Sequence, residues 1–329
     1  MTSVALLSNP HSTGNQSLLP EVRAFCERHH DIFHYEVEDV GQIASALKSI
    51  ALVRPKVLVI NGGDGTVQAA LTELYRGGHF GDSPPPVAVL PNGKTNLIAH
   101  DLGAIGDPIE ALERVLAVVR TDIVPHIVSR ELIELTGGRA GHAGGEQAPV
   151  LGMFLGGAGL ADTILYCRHK IYPLGLPNWL AHFLTFVMGL VSVVVGRRSP
   201  LLPAKWAPIK VSITRRGEMQ GKFAFVMVTT LERLLLNSTM AVAGQRAGAM
   251  QLVVIERNLL SIFGALFAAV RGKLGLRRIR GVHLERGDEI RIQGSRSNVI
   301  LDGEMFEAND DRPIVLRPTA PVPFLRLAA

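Results

Sequence analysis

Residues 57–66, Val57-Leu58-Val59-Ile60-Asn61-Gly62-Gly63-Asp64-Gly65-Thr66, constrain this chain more than any other stretch. An apolar run of buried-strand length stops at three glycines set around one carboxylate. A helical pattern follows at Val67, Ala70, Leu71 and Leu74. Glycines at the end of a strand let backbone N–H groups approach an anion, and the next helix N-terminus adds partial positive charge. Asp64 would repel a phosphate held there unless a metal ion or a hydroxyl proton lay between them. The stretch therefore reads as a nucleotide-phosphate site with an acid placed for chemistry. Taken alone, it also fits a plain strand-to-helix turn.

Its surroundings favour the site. Strand patterns at Val4–Ser8, Ile32–Val37, Lys56–Ile60 and Val87–Leu90 alternate with helical patterns at Leu18–Phe25, Ile43–Leu52, Leu97–Leu102 and Pro108–Val119. Such alternation predicts an open, mostly parallel sheet covered by helices, the α/β nucleotide-binding class. Ligands on these sheets lie beyond the carboxyl ends of the strands. Three polar, glycine-bearing loops fall at that edge: Asn9–Gly14, Gly62–Gly65 and Pro91–Asn96.

After Arg120 the pattern changes. Ile123–Leu135, Val150–Leu155, Ile209–Thr214, Lys222–Thr229, Met250–Ile255, Glu289–Gln293 and Asn298–Leu301 read as strands with hairpin turns such as Arg216-Gly217. This half is expected to be an antiparallel, sandwich-like β domain with two inserted apolar helices, 177–196 and 258–270. The boundary falls between a first domain, 1–122, and a second, 123–329. Pro318–Pro323 suggests an extended tail, one that can return to the first domain.

A chain of 329 residues with 47% hydrophobic side chains has ample core for two domains. Only 19% are charged, and the net charge of +5 suits a polyphosphate ligand or an anionic membrane face. No aromatic-studded basic stretch appears, so nucleic acid is not expected as a partner. Cys26 and Cys167 have no metal-ligand spacing, and Met1–Pro10 lacks the charge and apolar length of a signal peptide. Both point to a reducing, cytoplasmic setting. From Ile171 to Gly196 there is no acidic or basic side chain with His182 taken as neutral, a length that could span a bilayer. Pro173, Pro177, Asn178 and His182 interrupt it, so a buried or membrane-touching helix is the default.

Four landmarks, in order, resemble the diacylglycerol kinase catalytic-domain family, which includes sphingosine kinases and bacterial lipid kinases. They are Asn9-Pro10-x-Ser12-x-Gly14, Gly62-Gly63-Asp64-Gly65-Thr66, Pro91-x-Gly93-x-x-Asn96-x-x-Ala99 with Leu102-Gly103, and Asp302-Gly303-Glu304. The resemblance implies an ATP- and Mg-dependent lipid kinase acting on a primary hydroxyl of a diacylglycerol- or sphingoid-like amphiphile. It implies that Asn9, Gly62, Gly63, Gly65, Thr66, Gly93, Thr95 and Asn96 line the ATP phosphates. Glu304 would be the general base, and Asp64 and Asp302 would lie close to magnesium and the transferred phosphoryl. Asp302-Gly303 is also a good type I′ hairpin turn, and both roles can hold together. Gly-Gly-Asp-Gly-Thr occurs in NAD kinases too, so an NAD kinase-like enzyme is the alternative. A third is a nucleotide- or lipid-binding protein without turnover.

The chain departs from the family in places. Lys94 stands where Thr is usual and is expected either to contact the β/γ-phosphates or to be solvated. Glu36-Val37-Glu38-Asp39 lacks the usual Thr contact. Arg246–Gln251 carries no carboxylate, so no accessory structural metal is expected there. Thr229–Ser238 replaces a Gly-rich acceptor lining, whereas Gly156–Asp162 keeps small residues, read mainly as packing. Arg271, Lys273, Arg277, Arg278 and Arg280 follow the second apolar helix and suit docking on a peripheral anionic membrane surface. His29, His30 and His34 read as surface or structural. A homodimer is left open.

Overall fold

The computed structural model describes residues 3–140, 148–195, 202–203, 207–232, 248–276, 278–294 and 297–327. Strands β1 (Val4–Ser8), β2 (Ile32–Glu36), β3 (Val57–Asn61) and β4 (Val87–Val89) pair in parallel in the order β2-β1-β3-β4. β1 and β3 are buried throughout because helices cover both faces, which is why they read as unbroken apolar runs. Alternate residues serve opposite layers. Leu7, Leu58 and Ile60 pack toward helices α2 (Ile43–Val53) and α3 (Asp64–Arg76). Leu6, Val57 and Val59 pack toward α1 (Asn15–Glu27) and α5 (Pro108–Arg120), with the short α4 (Leu97–Asp101) between the β4 loop and α5.

Two segments from outside 1–122 complete this sheet. Val322–Leu325 lies parallel to β4, and Ile127–Arg130 pairs antiparallel with it. The single strand expected over Ile123–Leu135 is in fact a 3-10 turn and two strands, Ile127–Arg130 and Ile133–Gly137. The first belongs to the parallel sheet and the second to the next domain. The chain changes sheets at Glu131-Leu132, and Leu132 is buried in the first domain's core.

The second half is two antiparallel sheets, of six and seven strands, facing one another. Their inward residues, among them Ile133, Val211, Ile292 and Leu316 from one sheet and Leu155, Val226, Leu252 and Val299 from the other, form one core. Strands at Val282–Gly287 and Ile314–Pro318 were not evident from pattern. Half-buried polar residues hide their alternation. The run expected over Val150–Leu155 breaks at Met153, whose N–H is given to a side chain described below.

Helices α6 (Gly159–Tyr166), α7 (Asn178–Val195) and α8 (Leu259–Val270) lie outside the sandwich. No helix among the described residues is long and apolar enough to cross a membrane. A buried ion pair joins the halves. Arg130 Nε donates to Asp101 Oδ2 at 3.3 Å and Arg130 Nη2 to Glu232 Oε2 at 2.8 Å, and Glu232 N donates to Asp101 Oδ1 at 3.1 Å. Leu231 sits in the first domain's core. The described part of the segment expected to line the acceptor side, Thr229–Glu232, is thus a joint between domains; residues 233–238 lie outside the described residues.

Candidate functional site

The three loops at the carboxyl edge of the first sheet are tied together by buried amides. Asn92 Nδ2 donates to Asn61 Oδ1 at 2.7 Å and also reaches Asn15 Oδ1. Asn15 Nδ2 donates to the carbonyls of Asn9 (2.7 Å) and Asn61 (3.1 Å). Asn61 Nδ2 donates to Ser8 Oγ at 3.1 Å, and Ser8 Oγ meets His34 Nε2 at 2.9 Å. Asn15 at the start of α1, Asn61 at the end of β3 and Asn92 in the third loop therefore form one network. Asn15 and Asn92 were not singled out from the sequence, because an asparagine in a loop reads as a turn residue until its partners are known.

Several residues expected to face phosphate serve this scaffold. Asn9 Nδ2 donates to Thr66 Oγ1 at 2.9 Å, while Asn9 Oδ1 accepts from His11 N at 2.9 Å. Thr66 is buried, and a methyl built on Gly62 would lie 2.7 Å from its Cβ. Asn96, at φ 53°, accepts from Gly93 N at 2.7 Å, closing its own loop. A methyl on Gly93 would lie 3.3 Å from Gly63 Cα, so these two loops touch.

The start of α3 is different. Gly63 caps it without a side-chain hydrogen bond, while Gly63's own N–H donates to Ser12 Oγ at 3.0 Å. A methyl on Gly63 would meet nothing within 4 Å. The helix start thus has no side-chain cap and is open on its Gly63 side, where its first N–H groups need an outside acceptor. Asp64 lies in the first turn, beside Thr95 and Arg168. Burial raises its pKa, and the hydrogen bond to Thr95 and the Arg168 charge oppose that shift.

Across this opening stands the hairpin between strands Ser297–Leu301 and Glu304–Ala308, with Leu301 paired to Glu304. Asp302 and Gly303 have φ of 42° and 97°, the two positive values that a type I′ turn requires. The tight turn aims Glu304 at the helix start: a methyl on Gly65 would lie 2.7 Å from Glu304 Oε1. One on Gly303 would lie 3.6 Å from Gly65 N and 3.8 Å from Asp64 Cβ. The acids at 64 and 304 share one crevice, with Glu304 exposed to it.

Asp302 is held otherwise. Its Oδ2 accepts from Met153 N at 2.6 Å and its Oδ1 from Phe154 N at 3.0 Å, and it is only 6% exposed. Burial pushes its carboxyl up to about 8; the Met153 amide opposes the shift, the Asp64 charge adds to it, and the Phe154 amide opposes it. Its clearest function is to fix the hairpin on strand Phe154–Gly157, from which α6 departs. No cluster of three or more His, Cys, Asp or Glu able to hold a metal occurs among the described residues. A magnesium ion, usually held by one or two carboxylates plus phosphate oxygens and water, fits Asp64 at the crevice. It would need the nucleotide to complete its shell.

Two cations border the crevice. Arg168, on the turn after α6, donates from Nη1 to Gly303 O at 2.6 Å. Sequence reading missed it, because a lone Arg beside His169 and Lys170 looks like a solvated run. Lys94 Nζ lies 3.9 Å from the centroid of the Tyr172 ring, so the phosphate loop touches the acceptor-side helix turn through a cation–π contact. Of Arg246–Gln251, Arg246 and Ala247 lie outside the described residues.

The carboxyl edge of the α/β sheet thus faces the hairpin of an antiparallel sandwich across one crevice. Residues 3–124 match the family model described as Diacylglycerol kinase catalytic domain. The whole fold is similar to solved structures from Bacillus anthracis strain Sterne described as diacylglycerol kinase, in some of them provisionally. One is 15% identical with a TM-score of 0.62, another 14% identical with a TM-score of 0.57. Each aligns over 97% of this chain and 94% of its own. No curated protein matches the chain.

Proposed function

We propose that this chain is a lipid kinase that transfers the terminal phosphoryl group of ATP to a primary hydroxyl of a diacylglycerol- or sphingoid-like amphiphile. The observation that carries this reading is the shared crevice of Asp64 and Glu304 at the uncapped start of α3. Phosphoryl transfer needs positioning, charge neutralisation and an oriented nucleophile more than covalent help. The first amides of α3 and the Lys94–Thr95 backbone receive the phosphates, while the Gly63 and Gly93 N–H groups stay with Ser12 and Asn96. Arg168 and Lys94 offset their charge, Lys94 leaving the Tyr172 ring to do so. Asp64 would hold magnesium together with the nucleotide, and such an ion would supply charge neutralisation on the transferred group. Asp302 stands behind Asp64 and keeps the hairpin in place.

The acceptor hydroxyl oxygen forms a bond to the terminal phosphorus as the bond to the bridging oxygen of ADP breaks. Its proton passes to Glu304, which stands over Gly65 on a turn too short to swing away. Incubation with radiolabelled ATP, extracted lipids and NAD tests the reading. Labelled lipid made by the wild type and lost in Glu304→Gln is the expected result. Labelled dinucleotide would favour an NAD kinase, and no labelled product would favour a binding protein.

A further inference from the structure

Helices α7 and α8 are packed the wrong way round for water. On α8 the inward residues are Ser261 and Ala265, whereas Leu260, Phe263, Phe267 and Val270 face outward, Leu260 at 81% exposure. On α7 Ala181, Thr185 and Ser192 are buried, while Phe183 at 60% and Phe186 at 40% are exposed. These positions recur at three- and four-residue spacing, so each helix presents one apolar stripe. Twelve of the seventeen exposed large apolar side chains among the described residues fall within 174–195 and 260–276. The exposure is therefore a single surface, not the scattered kind that needs no explanation.

The inversion is built in rather than loose. Ser261 Oγ donates to Arg280 O at 2.9 Å, and a methyl on Gly264 would lie 3.0 Å from Ile279. Arg257 Nη2 donates to Val193 O at 3.0 Å, tying the end of α7 to the start of α8, and the two helices pack side by side. Gly189 of α7 faces Thr163 of α6, the helix that leads from the Asp302-bearing strands to Arg168. The surface is thus one helix away from the crevice.

We infer that this two-helix face docks on an anionic phospholipid bilayer and lies in its interface, a reading that rests on the proposed lipid acceptor. Charge selects this occupant over a second copy of the chain. Neither helix carries Asp, Glu, Lys or Arg, His182 being the one titratable side chain on α7, and exposed cations gather at the ends: Lys170 ahead of α7, and Arg271, Lys273, Arg278 and Arg280 beyond α8. Arg277 lies outside the described residues. The Arg271 guanidinium stacks 3.9 Å over the Phe267 ring, an apolar stem and charged head side by side at one edge of the stripe. An apolar stripe bordered by cations matches acyl chains beneath anionic headgroups; against its own copy it would set like charges together.

Co-sedimentation of the full chain tests this with phosphatidylcholine vesicles, with and without phosphatidylglycerol, across a salt series. Binding to the anionic vesicles that weakens with salt is expected. Arg271→Ala/Lys273→Ala/Arg280→Ala should bind about a hundredfold more weakly, at roughly fivefold per surface cation removed. Phe263→Ser/Phe267→Ser should lose binding at least tenfold with an unchanged thermal melt, and should still phosphorylate a short-chain, soluble acceptor. Loss of both vesicle binding and soluble-acceptor activity would count against a separate docking face. Equal sedimentation with neutral and anionic vesicles would overturn the proposal. So would a wild-type dimer by light scattering that the Phe variant turns into a monomer. Vesicle binding without any labelled lipid would leave docking standing and remove the kinase reading, so the two fail separately.

Discussion

Helices α3 and α8 have almost the same length and bury opposite things. α3 turns Val67, Ala70, Leu71 and Leu74 into the first domain's core. α8 turns Ser261 and Ala265 inward and leaves its phenylalanines in solvent. Burying a large apolar side chain stabilises by about 1.5–3 kcal/mol relative to leaving it exposed, so α8 forgoes within the chain what α3 gains. The first domain closes its core with help from Val322–Leu325, Leu132 and Leu231, and its buried asparagines satisfy one another. The sandwich half carries apolar side chains on α7 and α8 that nothing in the described chain covers.

That contrast can be attacked from its strong side first. If the crevice is a finished device, Glu304→Gln should leave folding intact and lower kcat by about 10²–10⁴-fold, the usual worth of a general base. A smaller loss in single-turnover assays would assign Glu304 a structural role. At the joint, Asp101→Ala strips the buried partner from Arg130 and should cost about 3–5 kcal/mol in urea unfolding. A loss below 1 kcal/mol would mean that Glu232 alone suffices. Asn92→Ala removes the donor shared by Asn15 and Asn61. It should cost about 1–3 kcal/mol and weaken ATP binding more than lipid binding.

Two finer effects distinguish the halves further. Burial holds the His34 pKa below the ordinary histidine value of 6.5, with Glu36 opposing and Arg23 adding to the shift. The folded state therefore prefers the neutral ring, whose Nε2 accepts the Ser8 hydroxyl. This contribution to stability is fully present above the unfolded value and is lost as pH falls through the folded one. The urea midpoint should drop between about pH 7 and 5, and less so in His34→Gln. Equal slopes would detach His34 from the network. The smallest effect is at the contact between the halves. A cation–π pair of about 0.5–1 kcal/mol competes with phosphate for Lys94. Tyr172→Leu should therefore tighten ATP binding about two- to fivefold by calorimetry, whereas weaker binding would mean that Tyr172 positions the lysine.

Much of the first domain was legible because its rules are local. A strand covered on both faces must be apolar throughout, and glycines at its end announce the loop, so β1, β3, β4 and their loops could be read directly. The Asp302-Gly303 turn was legible for the same reason, since few dipeptides accept two positive φ values. Arg168, Tyr172 and the Asn15–Asn61–Asn92 network were not, because each has meaning only through partners 31 to 135 positions away. The strand switch at Glu131-Leu132 was hidden too, as both pieces carry a similar alternating pattern.

The order of residues alone determined which backbone could approach an anion and where a carboxylate would stand beside it, because glycine spacing and apolar periodicity act over a few residues. Only the tertiary structure decided that Glu304 would lie over Gly65, and that the outward face of α8 would be its apolar one. Both depend on how a sandwich two hundred residues downstream is set against a helix start, and no local preference encodes that distance.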